Sequence, residues 1–444
     1  MNTLAIKSNK LNMILSIAIP SIISMLLTTL ITITDGFFTG NYVGEDALAA
    51  INLGLPIIYL FLGLGLCLGV GGSVIAGRYM GAKDERNACF VFSQTIVSAL
   101  IICIITSIIV FALFNPILTI LRAEAEGKLS IYFNKYYKIM LITYPIMVLS
   151  TILGIFIRLD GKPQVCMVVS VLSVILNCIL DYIFIVKYNM GVSGSAYASL
   201  IVQFIAAGLE VLYFVKGFKV LHFVKYKYDR SWTKEMLLNG SSEFIGEMAS
   251  SVSMFSFNYV IMRYVGSEGV AAFTILGFAV YFYSMITIGF GQGLTPLVSI
   301  CQGAKEYSLS IELRRLTNKI VFILGIIFTL LCLLFSRKYA LLFGCSLDTA
   351  NMVIQGFYFI SPSFIFMGYD VISSMYFTSC GDAKSSAIIS SLRGVVLLLI
   401  FTFTFPIFWG LNGIWAVTPT TEILTAIVTA TLLIKHKRIV NNAA

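Results

Sequence analysis

Long apolar runs separated by short polar connectors organise this chain. About 20 consecutive apolar residues, rising 1.5 Å each, cross a bilayer as a helix. Twelve runs meet that length: 12–39, 49–77, 90–114, 136–157, 164–187, 191–215, 237–262, 269–300, 317–336, 351–377, 385–409 and 411–434. The pattern predicts an all-α integral membrane protein with twelve transmembrane helices. The second and eighth runs exceed one span and are expected to tilt or bend. One charged connector stands out, "VKGFKVLHFVKYKYDRSWTKEM" at 215–236, in the middle of the chain. The expected organisation is therefore a six-helix bundle over 1–214, a basic linker over 215–236, a second six-helix bundle over 237–434 and a tail over 435–444.

An internal repeat sharpens this division. "YVGEDALAAINLGLPIIYLFLGLGLCLGVGGSVIAGRYMGAK" (42–83) aligns without gaps to "YVGSEGVAAFTILGFAVYFYSMITIGFGQGLTPLVSICQGAK" (264–305), with 11 identities over 42 residues at an offset of 222. A weaker echo pairs "GVSGSAYAS" (191–199) with "GLNGIWAVT" (410–418). Six helices separate the copies, an even number, so the halves run the same way through the membrane. A pseudo-twofold axis along the normal relates them, and a cleft between the bundles is expected.

Composition agrees with the pattern. The 444 residues are 58% hydrophobic and 11% charged, less than half the charge of an ordinary soluble domain. The net charge of +9 is better read as cytoplasmic loop charge than as a nucleic-acid surface. With the N-terminus in the cytoplasm, 21 of the 30 Lys and Arg fall in cytoplasmic segments, eight fall outside and Arg393 falls within a helix. Both termini are therefore expected in the cytoplasm of a multi-pass cell-membrane protein. No cleavable leader is expected, because the first apolar run is too long for one. The nine cysteines are scattered without a C-x-x-C pair, which fits small buried hydrophobes better than metal ligands or disulfides. The glycine-rich "GLGLGLCLGVGGSVIAG" lies within an apolar helix with no strand before it. Gly65 and Gly69 are four apart, the spacing of close helix contact, and a nucleotide loop is the poorer reading.

The charges that remain inside apolar runs are the candidate chemistry. An Asp at the centre of a spanning helix costs roughly 2.5–3.5 kcal/mol on insertion scales, so it calls for a reason. Asp35 in "ITITDGFFTG" and Asp181 in "VLSVILNCILDYIFIV" both lie far along outward-running helices. Asn177 precedes Asp181 by one turn on the same face. No Lys, Arg or His lies at that depth in the first bundle. Two acids in an apolar setting without a base either share a proton or bind a cation, and either makes a coupling-ion site. Asn177 and Ser199 can supply neutral oxygens. The alternative is a protonated Asp that merely ties helices together.

The second bundle carries Glu243 and Glu247 in "SSEFIGEMASS", Asp370 in "MGYDVISS" and Arg393 in "SSLRGVV". Arg393 is expected to pair with one of these acids as a structural charge partner. The acids left over form a negative patch suited to a cationic substrate. Glu210 and Glu422 are further intramembrane acids without an assigned role. Phe38, Tyr281 and Met285 are candidates to stack on a flat lipophilic cation. The halves share glycines and differ in charges: adding 222 to Asp35 reaches Phe257.

Taken in order, "TDGFFTG", the N-x-x-x-D of the fifth helix, "GVSGSAYA" opening the sixth and the repeated G-A-K resemble the multidrug and toxic compound extrusion (MATE) family over essentially the whole chain. That resemblance implies cation-coupled (H⁺ or Na⁺) antiport of lipophilic organic cations by alternating access. It implies an ion-binding group at Asp35, Asn177 and Asp181. A sixth-helix Thr of that group is replaced here by Ser199, which keeps the hydroxyl. An acidic pair in the seventh and tenth helices of some members would correspond to Glu243 or Glu247 with Asp370. The expected protein is thus a secondary active transporter and not an enzyme. It needs no cofactor, no nucleic acid and no metal beyond Na⁺ at the ion site. Its surroundings are membrane lipid, and it is expected to be a monomer. The alternatives are a lipid-linked precursor flippase of the same superfamily, which would need a basic cleft, and a membrane-embedded enzyme or receptor. No H-E-x-x-H, paired His or nucleophile elbow favours an enzyme.

Overall fold

A computed structural model describes residues 3–120, 128–226 and 228–443, and these residues are helical almost throughout, with no strand among them. The principal helices are α1 (Lys10–Tyr42), α2 (Leu55–Gly81), α3 (Glu85–Ala112), α4 (Lys128–Leu159), α5 (Pro163–Asp181), α6 (Val192–Leu212), α7 (Arg230–Tyr264), α8 (Ser267–Gly303) and α9 (Tyr307–Leu342). Next comes α10, a pair (Leu347–Ile360 and Ser363–Cys380) bent by 54°. Pro362 sits at the bend, and the Thr329 hydroxyl donates to the Ser361 carbonyl there at 2.7 Å. The last helical stretch begins at Ala383 and is broken at Gly410 (φ 54°, ψ −131°), giving α11 (383–409) and α12 (411–443). The expected twelve helices are present.

Two differences from the sequence reading have local causes. The second apolar run is interrupted at Gly54, which separates a short helix (Glu45–Leu53) from α2. Tyr137 fills the notch: its hydroxyl donates to the Ile51 carbonyl at 2.6 Å, and a Cβ on Gly54 would lie 2.0 Å from its ring. Second, α7 starts at Arg230, inside the stretch read as linker. Asp229 caps it, accepting from the Ser231 amide at 2.7 Å and the Ser231 hydroxyl at 2.6 Å. These bonds hold the Asp229 carboxyl below the usual carboxylate range. Charge alone marked 230–236 as connector, yet Lys and Glu are good helix formers. The irregular connector is shorter, and its start is tied down at Asp160. That carboxylate accepts from the Tyr213 hydroxyl (2.6 Å) and from the amides of Lys219 (2.7 Å), Val220 (2.9 Å) and Leu221 (3.1 Å).

The chain divides into two compact units. The first is Ile19–Phe244; the second runs from Ile245 onward and takes in the N-terminal segment through Ala18. The first division falls within α1, next to Pro20, whose ring interrupts the helical hydrogen-bond ladder. In the first unit α4 is the hub, packed on α2, α3 and α6; in the second the hub is the latter half of α10, packed on α8 and α9. Each hub is the fourth helix of its half, as a duplicated scaffold requires.

Glycines set the close approaches in the first unit. A Cβ on Gly65 would touch Val148 at 3.3 Å, and one on Gly69 would meet Ile155 at 2.8 Å, so α2 lies tight against α4. The start of α7 approaches α2 backbone to backbone. A Cβ on Gly240 would lie 1.8 Å from the Cys67 carbonyl oxygen, and one on Gly71 would lie 2.0 Å from that of Met236. Backbone cannot swing aside as a side chain can. Gly240→Val is therefore expected to cost at least ~3 kcal/mol, at or beyond the upper end of ordinary overpacking. The check is a large drop in the melting temperature of the detergent-purified protein, with Gly246→Val, which meets open space, as the neutral control.

Candidate functional site

The interior of the first unit is where its polar residues face. Along α5 the buried positions are Cys166, Val169, Ser173, Asn177 and Asp181, spaced three or four apart. Val168, Leu172, Ile175 and Ile179 are roughly half exposed on the opposite face. The helix is apolar outward and polar inward, the arrangement a lipid surround selects. Directly after Asp181 the helix widens into a π-helical turn, Tyr182–Lys187. Such turns are rare and recur at functional positions.

Three helices converge on Asp35. The Asn177 side-chain amide donates to Asp35 Oδ1 at 2.9 Å. Asp181 and Ser199 lie beside the same carboxyl group, within range of its charge. Asn177 and Asp181 are both 0% exposed, and Asn177 Oδ1 and both Asp181 carboxyl oxygens have no hydrogen-bond partner among the described residues. Three buried acceptor oxygens without a donor in one place are unusual, because leaving even one costs about 1–3 kcal/mol. Neither Asp takes part in an ion pair among the described residues. The site is an oxygen-rich cage around two carboxyl groups, with acceptor oxygens on Asn177 and Asp181 unspent. Tyr136 of α4, 4% exposed, stands close enough to feel both carboxylates, and sequence reasoning missed it. One tyrosine among 22 carries no distinguishing signal in the chain. Thr39 and Ser195, one turn from Asp35 and Ser199, also bury hydroxyls without partners among the described residues.

Phe38 is packed rather than open. It is 9% exposed, stacked on Tyr42 at 6.0 Å and edge-on to Phe37 at 5.6 Å. Glu243 lies near enough to Cys67 of α2 to act on it electrostatically.

In the second unit Arg393 pairs with Glu422, its Nε donating to Oε1 at 2.7 Å. The partner is thus the acid from α12, and none of the three acids expected for it. A π-helical turn, Leu392–Val396, presents the arginine. Asp370, 0% exposed, accepts from the Thr429 hydroxyl at 2.7 Å, while its Oδ2 has no partner among the described residues. Glu422 and Arg393 act on Asp370 electrostatically. Two acids against one base leave this cluster formally negative. Glu247 is half-buried and makes no side-chain hydrogen bond or ion pair among the described residues. On α8, Tyr281 is 48% exposed and Met285 is half-buried. Ser284 between them touches the Met367 sulfur at 3.7 Å, one turn from Asp370. No cluster of three or more His, Cys, Asp or Glu suited to a metal occurs among the described residues.

Comparison with known proteins gives a consistent picture. The MatE family model matches residues 20–183 and 244–404. The multidrug export protein MepA of Staphylococcus saprophyticus is 26% identical over 422 residues, covering 93% of this chain and 89% of that protein. MepA from a Staphylococcus aureus strain is 25% identical over 417 residues, covering 92% and 90%. Among solved structures, a MATE transporter in complex with MaL6 superposes with a TM-score of 0.91 at 23% identity, covering 97% of both chains. An outward-facing multidrug resistance MATE family transporter of the MOP superfamily gives 0.91 at 23% identity, covering 97% of this chain and 96% of that one.

Proposed function

Because the chain belongs to the MatE family, and is a membrane transporter rather than an enzyme, we propose that it exports lipophilic organic cations by antiport against H⁺ or Na⁺. The observation that carries the reading is the cage at Asp35. Its oxygens on Asn177 and Asp181, without donors among the described residues, adjoin a second carboxyl group, and neither acid has an ion-pair partner among those residues. A proton or a sodium ion supplies what the cage lacks. The proton would let one carboxyl donate to the other. The sodium ion would take both carboxylates, the Asn177 carbonyl and the Ser199 hydroxyl as ligands.

The coupling follows from charge. With the cage empty, two like charges oppose each other in a low-dielectric interior. An ion relieves that repulsion and so favours whichever conformation closes the cage around it. A hundredfold preference for one state corresponds to about 2.7 kcal/mol. Drug is loaded at acids of the second half. Glu247 is the foremost of these, being unpaired, and Asp370 follows, with Tyr281 and Met285 as apolar walls. Alternating access of the two bundles exposes the drug first to the cytoplasm and then outside. Both termini lie in the cytoplasm, as the concentration of Lys and Arg in those segments supports.

Ethidium efflux from proteoliposomes, under separately imposed pH and Na⁺ gradients, tests the reading and identifies the ion. Efflux driven by neither gradient would overturn it. Glu247→Gln separates the two roles. It is expected to raise the ethidium concentration for half-maximal transport about tenfold, while leaving the dependence on the driving ion unchanged. Half-saturation measurements for drug and ion in the same liposomes give both numbers.

A further inference from the structure

An apolar groove of about 400 Å³ lies between α8, α9 and the first half of α10, with Phe278, Phe282, Phe328, Leu331, Phe335 and Phe357 in its walls. The polar atoms it meets offer little to a polar ligand. The Tyr339 hydroxyl already donates to the Ile275 carbonyl at 2.9 Å, and Cys332 adds only a thiol. Phe278, Phe282, Leu331 and Phe335 are each about half exposed, so the groove opens on the face that hydrocarbon covers. Along α9 it extends from Phe328 to Tyr339. At 1.5 Å per residue that is about 16 Å, close to the ~15 Å hydrocarbon depth of one leaflet. At its rim the Lys338 ammonium stands 5.7 Å from the centroid of Phe335.

We infer that this groove is a binding site for an anionic phospholipid in the leaflet at the Leu342 end of α9. One acyl chain lies along the aromatic wall, and the phosphate is held by Lys338. The match in depth, the absence of unspent polar groups in the wall and the Lys338 charge at the rim together select this occupant. A cationic drug meets the wrong charge at Lys338 and no acid within. A zwitterionic lipid fills the same space and gains less from the lysine.

The test is lipid-dependent stabilisation of the full-length protein in detergent, titrated with dioleoyl phosphatidylglycerol or dioleoyl phosphatidylcholine. Phosphatidylglycerol is expected to reach half-maximal stabilisation at a concentration at least fivefold lower. Each base near a charged surface is worth about fivefold in affinity. Lys338→Gln should remove that preference and leave the phosphatidylcholine response intact. Lys435→Gln with Lys437→Gln, at the far end of the chain, should leave it unchanged. Leu331→Trp, at a half-exposed wall position, should weaken the response to both lipids. Equal half-maximal concentrations for the two lipids in the wild type overturn the inference. So does a preference that survives removal of the Lys338 charge, since that would reflect overall charge.

Discussion

Asp35→Asn is expected to bring gradient-driven ethidium efflux down to the level of empty liposomes, while yield and melting temperature stay near wild type. The substitution is isosteric, and the new side-chain oxygen still accepts the 2.9 Å bond from Asn177. What disappears is one of two adjacent acids that have no ion-pair partner among the described residues. Stability should therefore change little, because a buried carboxylate without a cation contributes no ion pair to lose. Function should change greatly. A cage with one carboxylate left has less hold on an ion and no longer differs between conformations by the repulsion of a pair. Asp181→Asn is expected to act in the same direction, since both its oxygens are without donors. A well-folded Asp35→Asn protein that exports ethidium at wild-type rate would refute the coupling scheme, whatever ion drives the wild type.

The reach of the sequence varied with the physics of each feature. Most of the helix number came from apolar run length, a local property that the bilayer enforces; α7, which carries Glu243 and Glu247, is not apolar enough to count as a span on that criterion. That α2 lies close to a neighbouring helix was legible because Gly65 and Gly69 have a single good explanation at that spacing; that the neighbour is α4 was not. The breaks were not. Gly54 resembles any other glycine in a glycine-rich run until Tyr137, 83 residues away, occupies its notch. The π-helical turns at Tyr182–Lys187 and Leu392–Val396 leave no residue signature at all. Partner choice was the hardest. Arg393 had four acids within plausible depth, and which one it meets depends on helix rotation, which 3.6-residue periodicity fixes only for the helix that carries it. Asn177 with Asp181 could be read because one helix holds both; Tyr136 and Glu422 could not, because each reaches its neighbours across a helix interface.

The second large effect concerns that misassigned pair. Arg393→Met is expected to destabilise the protein by about 3–5 kcal/mol, the usual consequence of stranding one member of a buried ion pair. The charge left behind is Glu422, 4% exposed, whose Oε2 already has no partner among the described residues and whose Oε1 would then lose the 2.7 Å bond. Asp370, already an acid in the same field, adds to the penalty. Glu422→Met should cost less, because the Arg393 side chain is 26% exposed and has somewhere to turn. Combining the two removes both charges and leaves well-sized apolar groups, so the double variant should recover most of the loss. Melting of the four proteins in one detergent gives the coupling directly. Transport by the double variant then divides two roles. If Arg393 and Glu422 serve only to hold α11 against α12, the refolded double variant exports ethidium with near-normal half-saturation. If the pair tunes Asp370 for cationic drug, half-saturation shifts while stability does not. Additive losses in the double variant would mean that the contact at 2.7 Å carries no net coupling, and the cluster would have to be explained by something other than charge pairing.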